Sequence, residues 1–541
     1  MDAKEVEEIL QKTSKARLGY EMRWYIVDRF LDGVHFDRIA KVDENGNISL
    51  VRPTFAKGIN PIPIPRAEKQ IESVLNLLFF NKPIWKFYPL PEKINEFYIK
   101  LADKMNSTME SLYDTLEIQN KVKKAVAGAL KYKVAYLEAG IDREDNLFVE
   151  EWDPWNIYHD LNIETLEQTR FLIKVVKKTK EELMMNEFYN QDVVKNLQTE
   201  RRESYSDYME QRIKEKFYDQ ITFSDEKKNF VLIKEVWFRD GNRWFMGTVA
   251  DGKWLREPVE VDYFPFVAIT FEEGHSLYGT SLVEKLIPLN REIDLVMAYI
   301  KHFVYTTSQG KLLEPKGSKI ERILDQHGER IRYEGGREPK WLDIPPLSPA
   351  VMAYLNSLIT FMDERGIAVL SFGKLPSKKL GWQALESLKQ IELGNMQNYV
   401  EKISEILKKL GYKILEIIEK TYVDKFLLLP GEEEPLKLIS EDAYYFHPEW
   451  QEDKNVIPIT SKWGIKIEIE SGLAYTEEGK IQRLLELYKM GIVTAEEVRE
   501  KLKLGPSPLK EAEKAMETQL GSQLNVENLP LTEEIQNASE I

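Results

Sequence analysis

The chain has 541 residues and a formal net charge of −15, and it contains no cysteine. This length exceeds the usual size of one domain, so we expect two or three packed units. The lack of cysteine excludes disulfides, thiolate metal sites and cysteine nucleophiles. The acidic balance argues against a protein that coats nucleic acid with its whole surface, because nonspecific affinity comes from basic residues that neutralise phosphates. No apolar run approaches the ~20 residues that span a bilayer, so we expect no membrane anchor and no export signal.

The first half of the chain changes from helical to strand-like patterning. Apolar spacing predicts one or two helices over residues 6–30, a helix over 67–80, and one long helix over 92–137. Strands follow at 149–154, 229–237, 243–249 and 253–261. Asp240-Gly241 and Asp251-Gly252 supply hairpin turns between the last three. We therefore predict a helical shell followed by a β meander.

The second half is predicted to hold long helices around a small insert. From residue 280, apolar side chains recur at intervals of three and four, which predicts a helix packed along its whole length. A β-α-β stretch follows, then a second helix that ends at Gly366, a loop over 369–381, and the longest helix over 382–422. The predicted fold class is mixed α+β, predominantly helical.

The sequence offers no active site. A phosphate-binding loop needs glycines and a Lys-Ser/Thr pair at fixed spacing, and no such run exists. The six histidines are scattered with none at i,i+4, so no zinc site is expected. Acidic runs such as residues 432–434 are interpreted as solvated loop charges. We predict no catalytic residue, no cofactor and no metal.

Several local stretches together resemble a known family. They are Trp24 with Phe30-Leu31-Asp32-Gly33, the run 152–160, the run 264–294 with Tyr278-Gly279-Thr280-Ser281, the segment 330–366, and the segment 480–494. In this order they resemble the portal (head-to-tail connector) proteins of tailed bacteriophages.

The resemblance implies an architecture with wing, stem, clip and crown. The parts would be a wing at 1–278, a first stem helix at 279–305, a clip at 306–345, a second stem helix at 346–368, a tunnel loop at 369–381, a long helix with returning wing strands at 382–474, and a crown with a C-terminal tail at 475–541.

The resemblance also implies a function without enzymatic activity. Such proteins form a closed ring of about twelve copies, which agrees with the preference of oligomers for closed symmetry. The ring would be assembled in the host cytoplasm and sit at one capsid vertex of the virion. It would serve as a passive conduit for double-stranded DNA during packaging and ejection, without reading sequence. The implied partners are further copies of the chain, terminase, then the head-tail adaptor, and the major capsid or scaffolding protein.

The resemblance assigns four groups of residues. The DNA-facing tunnel loop would present Phe372, Lys374, Lys378 and Lys379. The channel lining of the first stem helix would include Lys301 and His302. The clip would dock partners through Lys316, Lys319, Arg322, Arg330 and Arg337. Packing against a neighbouring stem would use Leu286, Leu289, Ile293, Val296 and Ile300.

Two alternatives remain open for these groups. The apolar seam of the first stem helix would equally suit burial within the same subunit, because periodicity does not say whose core it enters. The loop over 369–381 would equally suit a solvated connector. At the level of function, the alternatives are a cytoplasmic helical scaffold or adaptor protein and a nucleic-acid-processing enzyme. The enzyme would require a metal or nucleotide site that the sequence lacks.

Overall fold

A computed structural model provides the structure of the chain. It describes residues 1–36, 39–42, 48–51, 53–55, 59–79, 82–90, 96–142, 144–197, 230–272, 274–308, 312–313, 340–341, 346–365, 382–423, 425–429, 436–453, 455–460 and 463–468. Contacts divide the chain into the units Met1–Glu470 and Ser471–Ile541, and every described residue belongs to the first.

The N-terminal helices agree closely with the sequence pattern. Asp2 caps the first helix in a reciprocal capping box with Glu5, which satisfies backbone N–H groups that lack partners within the helix. The described helices before residue 200 are α1 (Ala3–Ala16), α2 (Leu18–Leu31), α3 (Arg66–Leu78), α4 (Glu96–Thr115), α5 (Ile118–Tyr132), α6 (Lys180–Met184) and α7 (Gln191–Lys195). A 3-10 turn spans Leu166–Gln168.

The prediction of one long helix over 92–137 is wrong. The chain forms α4 and α5 instead, because Glu117 takes a left-handed backbone conformation with φ of 51°. A second positive φ, 74° at Lys133, ends α5 and starts a strand. Neither residue is a glycine, so the sequence carries no signal for a left-handed backbone at either position. One such residue also leaves the spacing of the apolar residues unchanged.

The described strands form two main sheets and several small ones. The predicted meander is confirmed, and its turns at Gly241 and Gly252 have the positive φ that such hairpins require. The strands to residue 270 are β1 (Ile39–Val42), β2 (Ile48–Val51), β3 (Ile84–Pro89), β4 (Ala135–Ile141), β5 (Leu147–Trp152), β6 (Ile157–His159), β7 (Phe171–Thr179), β8 (Phe230–Asp240), β9 (Arg243–Ala250), β10 (Lys253–Val261) and β11 (Phe266–Ile269). An antiparallel sheet has the order β10-β9-β8-β7-β6, and a three-stranded one has the order β11-β4-β5.

The second half follows the predicted order of long helices. The described elements after residue 280 are α8 (Leu282–Ser308), β12 (Leu312–Leu313), β13 (Lys340–Trp341), α9 (Pro349–Arg365), α10 (Trp382–Thr421), β14 (Leu427–Leu429), β15 (Leu436–Ser440), α11 (Glu441–Phe446), α12 (Pro448–Glu452), β16 (Val456–Ile459) and β17 (Trp463–Glu468). β12 and β13 pair antiparallel between the two helices α8 and α9. The remaining small sheets have the orders β1-β2, β14-β15-β16 and β17-β3.

One hydrophobic core joins most of these elements. Its buried residues run from Ala3 to Ile465 and include both main sheets and the helices α5, α8 and α10. The mixed α+β prediction is confirmed. The structure is 50% helical and 25% strand, so helix predominates only marginally. The sequence underestimated strand content because β4, β11 and the first five residues of β7 are almost wholly buried and lack an alternating pattern.

Candidate functional site: a helix pair and its anchor

The helices α8 and α9 lie side by side as an antiparallel pair. Tyr354 donates its hydroxyl proton to Glu292 at 3.2 Å, and Arg365 donates to the carbonyl oxygen of Lys285 at 3.4 Å. Helix α8 begins at Leu282 after a reciprocal cap, in which Ser281 and Glu284 each donate a backbone N–H to the other's side chain, at 2.8 and 3.1 Å. We call α8 and α9 the helix pair.

The apolar seam of α8 faces the core of its own chain. Leu286 and Ile293 are 0% and 1% exposed, and Val296 is also buried. Leu289 and Ile300 are half-buried and pack against the same core. The chain alone therefore covers this seam, as the alternative interpretation requires. Packing of the seam against a neighbour stays a prediction.

Polar side chains in the middle of α8 fix the helix to the N-terminal region. Asn290 accepts a hydrogen bond from the backbone N–H of Ala67 at 3.1 Å and donates to the carbonyl of Ile64 at 3.0 Å. Asp294 accepts from the backbone N–H of Ile64 at 3.0 Å and is hydrogen-bonded to the ring of His35. These contacts satisfy backbone groups that would otherwise be buried without partners.

The ionisable side chains that fix α8 to the N-terminal region, Asp294 and Arg291, are in a largely buried environment. Burial raises the pKa of Asp294, and the hydrogen bond from His35 opposes the shift. Burial also lowers the pKa of Arg291 to about 10, and the Asp294 carboxylate opposes that shift. Arg291 donates to the backbone carbonyl of His35 at 2.7 Å. The sequence run Asn290-Arg291-Glu292-Ile293-Asp294 is thus the anchoring segment of the helix.

Three distant sequence segments meet in a buried cluster near the start of α8, which we call the aromatic hub. It consists of Arg17, Trp24, Trp155, His159 and Tyr278. The ring of Trp24 meets Trp155 edge-on at 5.3 Å between centroids and lies 5.7 Å from Tyr278. The rings of His159 and Tyr278 stack in parallel at 4.8 Å. Three of the stretches that carried the family resemblance, those with Trp24, residues 152–160 and Tyr278, therefore meet in space.

Arg17 fixes the segment that follows Asp153. It is 0% exposed and donates to the carbonyl oxygens of Pro154, Trp155 and Ile157 at 3.0, 2.9 and 2.5 Å. Its Nε donates to Glu21 at 2.6 Å, one helical turn further on. A guanidinium suits this position because its donors are fixed in a plane.

His159 is held as a neutral ring. Its Nδ1 donates to the backbone carbonyl of Asp160 at 2.7 Å, and its Nε2 accepts from the hydroxyl of Tyr136 at 2.6 Å. Burial lowers the pKa of His159 to about 4. Both ring nitrogens of His159 are thus used in structural hydrogen bonds, and these fix the backbone just before Asp160.

Lys133 connects the end of α5 to the loop before α8. Its Nζ donates to the carbonyl oxygens of Ser276 and Tyr278 at 3.0 and 3.4 Å, and burial lowers its pKa. The ammonium passes directly over Gly279, where a Cβ would lie 2.6 Å from Nζ. Only glycine fits there without displacing the lysine.

Lys301 and His302 lie near the end of α8. Lys301 is exposed, with its Nζ 5.8 Å from the centre of the Tyr305 ring, and His302 is half-buried. The hydroxyls of Thr306 and Thr307 donate back to helix carbonyls at 2.8 to 3.0 Å, as expected of a helix end. The channel-lining role of Lys301 and His302 stays a prediction.

Two groups of predicted residues lie outside the described residues. They are the tunnel-loop residues Phe372, Lys374, Lys378 and Lys379, and the clip residues Lys316, Lys319, Arg322, Arg330 and Arg337. Within the part of the chain that the structure describes, no group of histidine, aspartate and glutamate is arranged to hold a metal ion. Among the same residues, no helix combines the length and apolarity needed to cross a membrane.

Sequence reasoning missed Arg17, Lys133 and Tyr136. The spacing of Arg17 and Glu21 by four residues suggests an ion pair on a helix, but pattern alone does not show that the pair is buried. Lys133 follows an ordinary helical stretch and carries no signal of its positive φ. Tyr136 belongs to a strand that was interpreted as part of a helix.

One comparison with known proteins gives a match. A family model described as Phage SU10 portal protein matches residues 94–373, which is 280 of the 541 residues. The match covers the two main sheets, most of the aromatic hub and the helix pair. The chain is thus a portal protein of the tailed-phage class. Within that class it belongs to the family of the phage SU10 portal protein. The comparison with curated proteins finds no match.

Proposed function

We propose that the chain forms a closed ring of about twelve copies at one capsid vertex, with the helix pair as its stem. The ring is a passive conduit for double-stranded DNA during packaging and ejection. Support comes from the family match and from one structural observation. The helix pair is fixed to the core by buried hydrogen bonds, whereas its far end presents exposed aromatic side chains.

That far end has the surface of an unfinished interface. Tyr299 and Tyr305 are more than half exposed, and so is Val304. Exposed apolar clusters of this kind mark sites of association. In a ring, neighbouring helix pairs would cover these exposed side chains. The hydrogen bonds of Asn290 and Asp294 would hold each helix pair in a fixed position for that contact.

The acidic balance suits a channel through which DNA slides. A net charge of −15 would repel the phosphate backbone, and a strongly basic lining would hold it. We propose that Lys374, Lys378 and Lys379 form a limited ring of contacts to phosphates at the tunnel loop. Phosphate contacts of this kind do not read sequence.

The insert between α8 and α9 is proposed as the docking site for terminase and later for the head-tail adaptor. In a ring, the end of every helix pair faces the same side, so the insert is repeated around one rim. Its basic residues, Lys316, Lys319, Arg322, Arg330 and Arg337, would face acidic groups of those partners.

The experiment that tests the conduit is truncation of the three tunnel-loop lysines to alanine together. We expect rings of unchanged mass, and altered DNA retention or packaging yield in an in vitro packaging reaction. A matched control replaces Lys4, Lys12 and Lys15, which are exposed on α1. Packaging that equals the wild type in both triple variants would refute the tunnel-loop assignment.

A further inference from the structure

A strongly exposed aromatic surface lies on the short helix α11. Phe446 is 80% exposed, more than any other large apolar side chain that the structure describes, and its neighbour Tyr445 is 52% exposed. The ring of Phe446 meets His447 edge-on at 5.2 Å between centroids. An exposed aromatic side chain forgoes the free energy that burial supplies, and adjacent ones mark a site of association. We call Tyr445 and Phe446 the aromatic tip.

The fold holds the aromatic tip in a defined position. The hydroxyl of Tyr445 lies 3.2 Å from the hydroxyl of Tyr98 in α4. On the other side of Phe446, the ring of His447 packs on Trp450 at 3.9 Å between centroids. The chain is therefore tied down both before and after the exposed ring. A surface that is already ordered loses less conformational entropy when a partner binds.

Carboxylates flank the aromatic tip. Residues 441–453 contain five acidic side chains and no lysine or arginine. Asp442 is exposed and precedes the two aromatic residues by three and four positions, so it lies on the same helical face. Glu449 is also exposed and accepts a hydrogen bond from Nδ1 of His447 at 3.0 Å, beside the Phe446 ring. The surface is thus aromatic in its middle and negative at its edges.

The lysines of this region act on a different carboxylate. Lys437 donates to Asp453 at 2.8 Å and lowers the pKa of Asp453, and the charge of Lys104 adds to this shift. Among the described residues, no lysine or arginine forms an ion pair with Asp442 or Glu449. The negative charge beside the aromatic tip is therefore available to a partner.

A partner that covers this surface must bring apolar groups for the tip and positive charge for its edges. An amphipathic helix with lysine or arginine beside its apolar face has this pattern. DNA does not, because the carboxylates repel phosphates. A second copy of the chain is disfavoured by its own net charge of −15.

We infer that the aromatic tip, with Asp442 and Glu449, is the docking site for a basic amphipathic helix of another protein. The apolar face of that helix covers Tyr445 and Phe446, and its basic side chains pair with the two carboxylates. This site goes beyond the proposed conduit and does not depend on closure of the ring.

The apolar part of the contact is tested with Phe446→Ser in the full chain. The probe is a fluorescein-labelled helical peptide with leucines on one face and lysines on the other, and its Kd is measured by fluorescence anisotropy. The Kd should rise roughly tenfold or more, because exposed aromatic anchors dominate interface energy. A Phe446→Ser chain that binds the peptide as tightly as the wild type would overturn the inference.

The matched control for this variant is Phe188→Ser. Phe188 is 66% exposed, and Glu187 beside it is exposed too, so it tests for general attraction of the peptide to acidic aromatic surfaces. The guanidinium of Arg256 lies 5.7 Å from the centre of the Phe188 ring and disfavours a basic partner there. The Kd of this variant should stay within about twofold of the wild type. An equal rise in both variants would count against a specific site.

The charged part is tested by combining Asp442→Asn with Glu449→Gln. The Kd for the lysine peptide should rise about threefold or more at low salt, because two opposite-charge pairs are lost, and its dependence on salt should weaken. The control combines Glu8→Gln with Glu68→Gln, which are exposed on α1 and α3 and change the net charge equally. Equal effects of the two double variants would contradict the assignment. So would a peptide with glutamate in place of lysine that binds the wild type as tightly.

Sedimentation of the chain without peptide separates this site from a contact between copies. Phe446→Ser should leave the mass of the assembly and the circular dichroism spectrum unchanged. A variant that dissociates the assembly but binds the peptide normally would assign the tip to contact between copies and overturn the inference. A wild-type chain that forms no ring refutes the proposed conduit alone, since peptide binding is measured in whatever assembly the chain forms.

Discussion

Replacing Arg17 by methionine should destabilise the chain more than any other single change in the aromatic hub. The variant leaves Glu21 as a buried carboxylate without its partner, and breaking a buried pair in this way costs about 3–5 kcal/mol. It also leaves the carbonyl oxygens of Pro154 and Trp155 without this donor, each at about 1–3 kcal/mol before relaxation, whereas the carbonyl oxygen of Ile157 keeps the hydroxyl of Tyr278 at 3.4 Å. The expected total of about 5 kcal/mol or more approaches the whole stability of a typical domain.

Urea unfolding followed by tryptophan fluorescence measures this loss, since Trp24 and Trp155 lie in the hub itself. The second variant combines Arg17→Met with Glu21→Leu. It should recover at least about 2 kcal/mol, because the uncompensated charge is gone. Lys12→Met is the matched control, since its ion pair with Glu8 is solvent-exposed and worth less than about 1 kcal/mol. A loss below about 1 kcal/mol for Arg17→Met, or a double variant no more stable than the single one, would refute the reasoning.

Three further changes probe the contacts of Asn290, the buried Glu138 of β4 and the loop before α8. Asn290→Ala removes two hydrogen bonds to buried backbone groups and should lower the unfolding free energy by about 2–4 kcal/mol, with faster hydrogen exchange in α8. Burial raises the pKa of Glu138 from 4.5 to about 6, so its stabilising contribution is present below pH 4.5 and is lost as pH rises through 6. The unfolding free energy of the wild type relative to Glu138→Gln should therefore fall by about 2 kcal/mol between those pH values. Gly279→Ala should displace Lys133 and cost about 1–3 kcal/mol in urea unfolding.

Each of these predictions has a result that would contradict it. Ser357→Ala, on the exposed face of α9, is the control for Asn290→Ala, and equal losses in both would contradict the anchor. A relative stability of Glu138→Gln that is flat with pH would show that Glu138 titrates normally in the folded chain. For the glycine, a combined Gly279→Ala and Lys133→Ala variant should be no less stable than Lys133→Ala alone, because all the side-chain atoms that crowd the new Cβ are then gone. A further loss of unfolding free energy in the double variant would show that the alanine clashes with a group other than Lys133.

The order of elements could be predicted from the sequence because the long helices are amphipathic. The spacing in α8 and α10 and the glycine turns of the meander are local signals, and the structure follows them closely. Buried strands such as β4 and β11 were missed for the opposite reason. Both of their faces are covered, so they present no alternation of apolar and polar residues.

The site was less accessible to prediction because its key contacts are long-range. Arg17 binds carbonyls more than 130 residues away, and Asn290 binds a segment more than 220 residues before it. Spacing marks the seam residue Leu286 as apolar, but only the packed chain shows that it faces its own core.

The central claim is that copies of this chain close into a ring around a channel. Electron microscopy of the purified protein, together with its mass in solution, tests this claim most directly. The account predicts rings with an axial hole wide enough for a DNA duplex and a mass of about twelve chains. A monomer or dimer at all concentrations, with no ring in the images, would contradict it.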